Sequence, residues 1–199
     1  MRKLIWVITV SVDGFFEGPN REIDWHRVDD ELHRHLNEVL APMGAFLHGR
    51  VVYELMADYW PTADADPAAP APIREYARIW RDMPKIVYSR TLARADWNAT
   101  VVREVVPDDV RALKAQPGGD LAVGGADLAS AFERHGLIDE YRIYVHPVVL
   151  GRGNPAFRPA GTPVELRRLE THTFGNGVVL LHYERADGAG PGPGGAPAP

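Results

Sequence analysis

The stretch Asp120-Leu-Ala-Val-Gly-Gly-Ala-Asp-Leu-Ala-Ser-Ala-Phe132 joins a short apolar segment to a segment with helical spacing. Residues 121–123 predict a buried strand, and the apolar spacing from residue 126 onward predicts a helix. Gly124 and Gly125 have no Cβ, so a ligand can approach the backbone closely at this turn. Because unpaired N–H groups at a helix start attract anions, the pattern favours a phosphate or pyrophosphate site. A plain tight turn remains the alternative.

The composition limits the classes of protein to which this chain can belong. Its 199 residues are 45% hydrophobic, which is enough for one buried core in a single domain. A net charge of −5 without any Lys/Arg-rich run argues against a nucleic-acid surface. The absence of cysteine excludes disulfides, thiolate catalysis and zinc–cysteine sites. No signal peptide or membrane span is visible, so the sequence predicts a soluble cytoplasmic protein.

Glycine and proline mark the limits of the domain and its main loops. We expect one domain over residues 1–185 and a disordered tail over 186–199, which consists almost wholly of Gly, Ala and Pro. Residues 62–72 are also rich in Ala and Pro, and they predict a surface loop within the domain. Gly175-Asn-Gly177 predicts a hairpin turn, since Asn-Gly tolerates positive φ at both positions.

Strand and helix patterns alternate to about residue 150, and two further strands close the chain. The predicted strands are Leu4–Val10, Ala45–His48, Lys85–Ser89, Thr100–Val106, Leu121–Val123, Glu140–Val149, Glu165–Phe174 and Val178–Arg185. The predicted helices are Asp29–Leu40, Arg50–Asp58, Ile73–Arg81, Pro107–Ala115 and Asp127–His135. This order predicts an α/β fold with a mostly parallel central sheet flanked by helices and a C-terminal antiparallel hairpin.

Three predicted strands end in junctions that suit a ligand. They are His48-Gly-Arg50, Ser89-Arg-Thr91 and Gly124-Gly-Ala126. Ligands collect at the carboxyl ends of parallel strands, so the three junctions predict one shared site.

These junctions, together with other motifs, resemble the dihydrofolate reductase-like superfamily. The closest branch is the reductase domain of the riboflavin-biosynthesis deaminase-reductase. The matching motifs are Ser11-Val-Asp-Gly14, Gly49-Arg-Val-Val-Tyr-Glu54, Lys85-Ile-Val-Tyr-Ser-Arg-Thr-Leu92, Gly124-Gly-Ala126, Gly136-Leu-Ile-Asp-Glu-Tyr141 and Pro147-Val-Val-Leu-Gly-Arg-Gly153, with Phe157 after them. They occur in the same order over residues 3–185. The His/Cys zinc signature of a deaminase is missing from this sequence.

The resemblance implies an NADPH site at the three junctions. The residues assigned to the cofactor are Gly49, Arg50, Ser89, Arg90, Thr91, Gly124, Gly125 and Ala126. Arg50 would lie near the cofactor phosphates, and residues 89–91 near the 2′-phosphate on the adenosine side. Arginine suits both places because its planar guanidinium makes paired, charge-assisted bonds to phosphate oxygens.

The same resemblance places a substrate near the first strand and first helix. The candidate lining residues are Thr9, Ser11, Asp13, Phe16, Trp25 and Tyr53, with Trp60 nearby. Asp13 is the only acid in its turn, and a turn-stabilising role outweighs a catalytic one. Asp29 and Asp30 stand where a dihydrofolate reductase has its pterin-binding acid, but helix capping explains them equally. The sequence therefore assigns no proton donor.

The histidines and a glycine motif do not add a second kind of site. His33 and His35 should point to different helix faces, and His172 and His182 toward solvent, so we expect no metal. His146 is better explained as a structural residue than as a catalytic base. Gly151-Arg-Gly-Asn-Pro-Ala156 matches a dinucleotide fingerprint, but Pro155 opens no helix, so the segment predicts a loop.

Two classes of function follow from these observations. The first is an NADPH-dependent reductase of a small heterocycle, either a riboflavin-type pyrimidine or a pterin such as dihydrofolate. The second is a nonenzymatic module on the same fold that binds a nucleotide. The long apolar strand 140–149 and the closing hairpin also predict a homodimer, which the resemblance implies as well.

Overall fold

The computed structural model describes residues 1–158 and 163–186. The strands are β1 (Leu4–Ser11), β2 (Phe15–Glu17), β3 (Ala45–Gly49), β4 (Lys85–Tyr88), β5 (Ala99–Val102), β6 (Leu121–Gly124), β7 (Glu140–His146), β8 (Asn154–Pro155), β9 (Leu166–Thr173) and β10 (Val179–Arg185). The helices are α1 (Asp30–Leu40), α2 (Arg50–Tyr59), α3 (Ala71–Asp82), α4 (Pro107–Ala115) and α5 (Ala126–Glu133). The predicted disordered tail lies outside the described residues, except for Ala186.

Eight strands form one sheet in the order β5-β4-β3-β6-β1-β7-β10-β9. The first six strands of this order run parallel, and β10 and β9 add an antiparallel hairpin at one edge. The predicted α/β fold with a C-terminal antiparallel hairpin is therefore confirmed. Within the residues described, no helix is both long and apolar enough to cross a membrane.

Each face of the sheet packs against its own set of helices. Along β1, Leu4, Trp6 and Ile8 join the core that includes residues of α4 and α5. Ile5 belongs to the core on the other face, which includes residues of α1, α2 and α3. Side chains alternate between the two faces of a strand, so β1 is buried on both faces of the sheet, and it pairs with β6 on one edge and β7 on the other.

Several element boundaries differ from the sequence prediction. β7 ends at His146, because Pro147 cannot continue the hydrogen-bond ladder. α3 begins at Ala71 and has a proline in its first turn, where the missing N–H costs nothing. A short 3₁₀ helix, Trp60–Thr62, leads into the predicted loop and shares only Thr62 with it. The strand predicted over Thr100–Val106 is β5, which ends at Val102 because the backbone bends at the next two residues.

A second, two-stranded sheet pairs β2 with β8. The segment 151–156 was predicted as a loop. That prediction is confirmed for residues 151–153, which open no helix, and is wrong for Asn154–Pro155, which form β8. Two short segments that are distant in sequence carry no local pattern for such a pairing. The sheet fixes the segment after β1 against the segment after β7.

Candidate functional site

A cleft of about 330 Å³ lies where α2 and α5 begin. β3 and β6 are adjacent and parallel, with His48 opposite Gly124, so the two helices that follow start side by side. Six residues of the sequence prediction line this cleft: Phe16, Gly49, Arg50, Gly124, Gly125 and Ala126. Tyr88, at the end of β4, also lines it. The structure thus brings two of the three predicted junctions together directly.

Both helices begin without a side-chain cap. The N-cap residues are Gly49 for α2 and Gly125 for α5, and neither helix start receives a capping side chain. The start of α1 differs, because Asp29 accepts a hydrogen bond of 3.0 Å from the N–H of Leu32. Uncapped N–H groups and two helix dipoles therefore meet at one cleft, which favours a bound anion.

The three glycines at the cleft differ in what an added side chain would contact. Gly49 has no atom within 4 Å of the position of a Cβ, so a side chain there would extend into open space. Gly125 has φ +89°, and a Cβ would lie 2.8 Å from Cγ2 of Val52. A Cβ on Gly124 would lie 3.1 Å from Cδ2 of His48. Only Gly49 therefore leaves open space at the cleft, whereas the missing side chains of Gly124 and Gly125 allow His48 and Val52 to pack against the backbone of the second junction.

The third junction follows β4 and has a different character. Ser89 is buried, and its Oγ accepts hydrogen bonds from the N–H groups of Thr91 (3.3 Å) and Leu92 (2.9 Å). Arg90 and Thr91 are exposed. Arg103, which the sequence did not indicate, donates to the carbonyls of Ser89 and Leu92 and adds a positive charge to this turn. Ser89 thus shapes the turn, while Arg90 and Arg103 supply its charge.

Arg50 is engaged with its own helix. Its guanidinium donates to Glu54 one turn later at 2.7 Å, and both side chains are about half exposed. An exposed i,i+4 pair contributes only about 0.3–0.5 kcal/mol, so Arg50 can exchange this partner for a phosphate.

Asp13 ties two loops together at the carboxyl end of β1. It accepts hydrogen bonds from Ser11 Oγ (2.7 Å) and from the N–H groups of Leu150 (3.1 Å) and Gly151 (2.7 Å). The hydrogen bond from Ser11 is the largest cause that lowers the pKa of Asp13. The turn-stabilising role is thus visible, and its partners lie in the loop after β7.

The other predicted substrate residues, Thr9, Trp25 and Tyr53, do not lie in one place. Thr9 is half-buried near the end of β1, and Trp25 packs edge-on against His26 and His146. Tyr53 does not lie at the cleft, because it is buried in the core and donates to the carbonyl of Asp96 at 2.9 Å. The prediction that Tyr53 lines the site is wrong. The spacing after Arg50 did not show that Tyr53 lies on the inner face of α2.

Asp29 and Asp30 have structural partners. Asp29 caps α1, as described, and Asp30 lies 3.6 Å from Arg34 on the exposed surface. Capping accounts for Asp29, so no proton donor is assigned to either residue.

The histidines differ from one another more than the sequence indicated. His33 packs near Trp60 and Tyr76, whereas His35 contacts Tyr144 and Phe174, so the two do face different neighbours. His172 is exposed as predicted. Over residues 1–158 and 163–186, no three His, Asp or Glu side chains are grouped as metal ligands.

The prediction that His182 faces solvent is wrong. β10 lies inside the sheet between β7 and β9, and His182 is buried 2.9 Å from Glu140. Hydrogen bonds from His182 and then Lys3 lower the pKa of Glu140 to about 2. These residues line a second cavity, of about 600 Å³, at the amino end of β1. Its acidic and basic groups are mixed, so it does not favour one ligand charge.

His48 and His146 are buried and incompletely hydrogen-bonded. Burial lowers the pKa of each to about 4. Nδ1 of His48 and Nε2 of His146 have no hydrogen-bond partner among the described residues. Nδ1 of His146 accepts from the N–H of Arg27 at 2.9 Å. His146 therefore makes a structural hydrogen bond through Nδ1.

The mostly parallel sheet with its C-terminal antiparallel hairpin has the dihydrofolate reductase-like fold. Residues 2–180 match the RibD C-terminal domain family, and the chain belongs to that family.

Solved structures share this fold. A putative riboflavin biosynthesis protein from Shewanella sp. PV-4 superposes with a TM-score of 0.68 at 20% identity, over 94% of this chain and 99% of the other. Dihydrofolate reductase from Enterococcus faecalis, complexed with NADP(H), has a TM-score of 0.62 at 14% identity, over 93% and 97%. At these identities the likeness shows the fold.

A relative in sequence is the uncharacterized protein YyaP of Bacillus subtilis (strain 168). It is 34% identical over 183 residues, which cover 92% of this chain and 94% of YyaP.

Proposed function

We propose that this chain is an NADPH-dependent reductase of a small heterocyclic substrate, of the riboflavin-pathway aminopyrimidine type. The observation that carries the proposal is the pair of uncapped helix starts, at Gly49 and Gly125, that meet at one open cleft. Membership of the RibD C-terminal domain family and the NADP(H) complex of the Enterococcus reductase support it.

The cleft residues fit a dinucleotide. The N–H groups at the starts of α2 and α5 would hold the phosphates, with Gly49 allowing close approach and Gly124, Gly125 and Ala126 forming the second wall of the cleft. Arg50 and Arg90, with Ser89 and Thr91 shaping the turn, would hold the 2′-phosphate side of the cofactor. The bound cofactor supplies hydride, and the protein supplies orientation and electrostatics.

The substrate would lie toward the end of β1. Thr9, Ser11, Asp13, Phe16 and Trp25 are the predicted residues in that direction, and Phe16 already lines the cleft. Hydride transfer needs the acceptor carbon roughly 3–3.5 Å from the donor, so precise loop positions are required. The hydrogen bonds that Asp13 accepts from the N–H groups of Leu150 and Gly151 hold the loop after β7 in place.

NADPH should bind more tightly than NADH. Each charge-assisted hydrogen bond to the 2′-phosphate contributes about 1.5–3 kcal/mol, which is roughly tenfold or more in affinity. Calorimetric titration of both cofactors measures the preference, and Arg90→Ala should reduce it. Arg94→Ala is the control, because Arg94 is exposed in the same turn region but pairs with Asp96. Equal affinity for both cofactors, or unchanged NADPH affinity in Arg90→Ala, contradicts the assignment.

Dihydrofolate should be a poor substrate. Asp29 is used as a helix cap and Asp30 lies beside Arg34, so both have structural partners in place of a pterin ring. A substrate screen that follows the loss of NADPH absorbance should show slow turnover with dihydrofolate. Fast turnover, inhibited by an antifolate, would favour the pterin reductase instead. NADPH binding without turnover on any pyrimidine or pterin tested would favour the nonenzymatic module.

A homodimer should form through the β9–β10 hairpin. β9 is one of the two edge strands of the main sheet, and seven of its eight residues are exposed, on both faces of the sheet. An open edge of this kind favours pairing with another strand. Light scattering at micromolar concentration should give a dimeric mass, and Leu169→Arg should reduce it. Leu55→Arg is the control on α2, since Leu55 is also exposed. A monomeric mass for the unmodified chain refutes the dimer.

A further inference from the structure

One arginine in the wall of the cleft has no role in the function proposed so far. Arg21 belongs to the segment between β2 and α1, and it lines the cleft of about 330 Å³ together with Phe16 and Glu17. The starts of α2 and α5 form the other walls. Arg21 therefore brings a positive charge to the cleft from a part of the chain outside the two helices.

The charged side chains that line the cleft differ in whether they have a partner. Glu17 accepts a hydrogen bond of 2.8 Å from Nδ2 of Asn154. Asp127 pairs with Arg158 at 2.8 Å, and the arginine at the start of α2 pairs within its own helix. Arg21 is exposed, and none of the described residues forms an ion pair or a hydrogen bond with its guanidinium. The unpartnered charge in this wall is thus positive, which favours an anionic ligand.

The turn from Gly18 to Glu22 holds Arg21 in an unusual backbone conformation. The φ angle of Arg21 is +67°, in the left-handed region that is unfavourable for a residue with a Cβ. Its N–H donates to the carbonyl of Gly18 at 3.0 Å, and the N–H of Gly18 donates to the carbonyl of Glu22 at 2.9 Å. The Glu22 carboxylate accepts from the N–H and Nδ2 of Asn20, at 2.8 and 2.7 Å. Glycine would fit this position without strain, so the arginine side chain itself calls for an explanation.

Both ends of this turn are attached to the rest of the fold. β2 leads into the turn and pairs with β8, and a Cβ on Gly153 would lie 2.4 Å from the carbonyl oxygen of Glu17. After the turn, Nε1 of Trp25 donates to the carbonyl of Glu22 at 3.1 Å. The contacts of the β2–β8 sheet and of Trp25 therefore fix the place from which Arg21 reaches the cleft.

Resting on the reductase function proposed above, we propose that Arg21 binds the pyrophosphate of the dinucleotide cofactor. The N–H groups at the starts of α2 and α5 contact phosphate oxygens from the helix side. A guanidinium on another wall of the same cleft binds further oxygens through paired, charge-assisted hydrogen bonds. Arg21 completes the anion site in this way.

The position of Arg21 also separates its role from that of Arg90. Arg90 follows β4 in a turn that does not line this cleft, and it is proposed to bind the 2′-phosphate. The pyrophosphate is common to NADPH and NADH, whereas the 2′-phosphate is present only in NADPH. Arg21 therefore sets the affinity for both cofactors, and Arg90 sets the preference between them.

Calorimetric titration with NADPH, NADH and 2′-phospho-ADP-ribose tests this role. Arg21→Gly should weaken the binding of all three about tenfold, because each has the pyrophosphate and loses charge-assisted hydrogen bonds to it. The ratio of NADPH affinity to NADH affinity should not change. 2′-Phospho-ADP-ribose has no nicotinamide, so an equal loss with this ligand locates the effect on the phosphates. Arg21→Lys should retain part of the affinity, since it keeps the charge without the planar fork.

The controls separate the lost contact from changes in folding and in net charge. Glycine relieves the left-handed backbone at position 21, and thermal melting of Arg21→Gly checks that the variant is folded. Arg134→Ala removes the same charge at the exposed C-terminal end of α5, and it should leave all three affinities unchanged. Raising the salt from about 0.1 M to 1 M shortens the Debye length from about 10 Å to 3 Å. The difference between Arg21→Gly and the unmodified chain should then shrink.

Three results overturn the role of Arg21. They are unchanged NADPH affinity in Arg21→Gly, a loss that spares NADH and so belongs to the 2′-phosphate, and a loss that spares 2′-phospho-ADP-ribose and so belongs to the nicotinamide side. In each of these cases NADPH still binds the unmodified chain, so the proposed reductase function is not contradicted. Failure of NADPH to bind the unmodified chain contradicts the reductase function itself.

Discussion

Gly125→Val should abolish NADPH binding, with a loss of affinity of about 100-fold or more. A Cβ at this position would lie 2.8 Å from Cγ2 of Val52, so the start of α5 or of α2 must shift, and the N–H groups proposed to hold the pyrophosphate shift with it. Losing two charge-assisted hydrogen bonds at about 1.5–3 kcal/mol each accounts for that loss. Calorimetry with NADPH gives the affinity, and circular dichroism shows whether the variant is folded.

Backbone strain needs its own controls, because Gly125 has φ +89°. Gly136→Val carries the same kind of strain at φ +61°, with no atom near its Cβ, and it lies outside the cleft. It should lose stability but keep its NADPH affinity. Gly49→Val has no such strain and fills open space in the cleft, so it should lose affinity with little loss of stability. Normal NADPH binding by Gly125→Val and Gly49→Val would mean that the glycines are only turn residues.

Stability should fall steeply as the pH drops from about 6.5 to about 4. The folded-state pKa of His48 and of His146 is about 4, against roughly 6.5 in an unfolded chain. In that window the unfolded chain binds more protons than the folded one, so each histidine removes up to about 3 kcal/mol on acidification. Together the two losses are comparable with the total stability of a typical domain, about 5–15 kcal/mol.

Urea unfolding at pH 7.5 and pH 5 measures this dependence. His48→Phe and His146→Phe should each reduce the difference between the two pH values, whereas His172→Phe, at an exposed position, should leave it unchanged. Glu140 affects the free energy of unfolding at lower pH. Its pKa is lowered to about 2, so the stability it contributes is present above about 4.5 and is lost between 4.5 and 2. A free energy of unfolding that is the same at both pH values would contradict the role given to the two histidines.

The sequence predicted the parts of the fold that rest on local patterns. The apolar run of β6, its glycines and the helical spacing after them lie together in the chain, and the structure has them as predicted. The β2–β8 pair could not be predicted, because it joins residues near 16 to residues near 155 through two short strands. No local sequence pattern indicates that β10 lies between β7 and β9, and for this reason His182 was predicted to face solvent.

The candidate site shows the same division. Gly49, Arg50 and the residues 124–126 were identified by their positions at strand ends, and the structure brings them to one cleft. Tyr53 lies only three residues after Arg50 but faces the core, which depends on how α2 packs. The contact between the rings of His26 and His146 joins segments 120 residues apart, so no sequence motif could indicate it. The roles of the cleft residues in binding stay predictions.

The central position of β1 has a consequence for the order in which the chain folds. Its two partners in the sheet are β6 and β7, which begin at Leu121 and Glu140, so more than a hundred residues must be synthesised before β1 can pair. Long-range parallel pairings of this kind form slowly. During that interval the apolar segment from Leu4 to Val10 has both edges open, and it is the segment where aggregation of the nascent or refolding chain should begin.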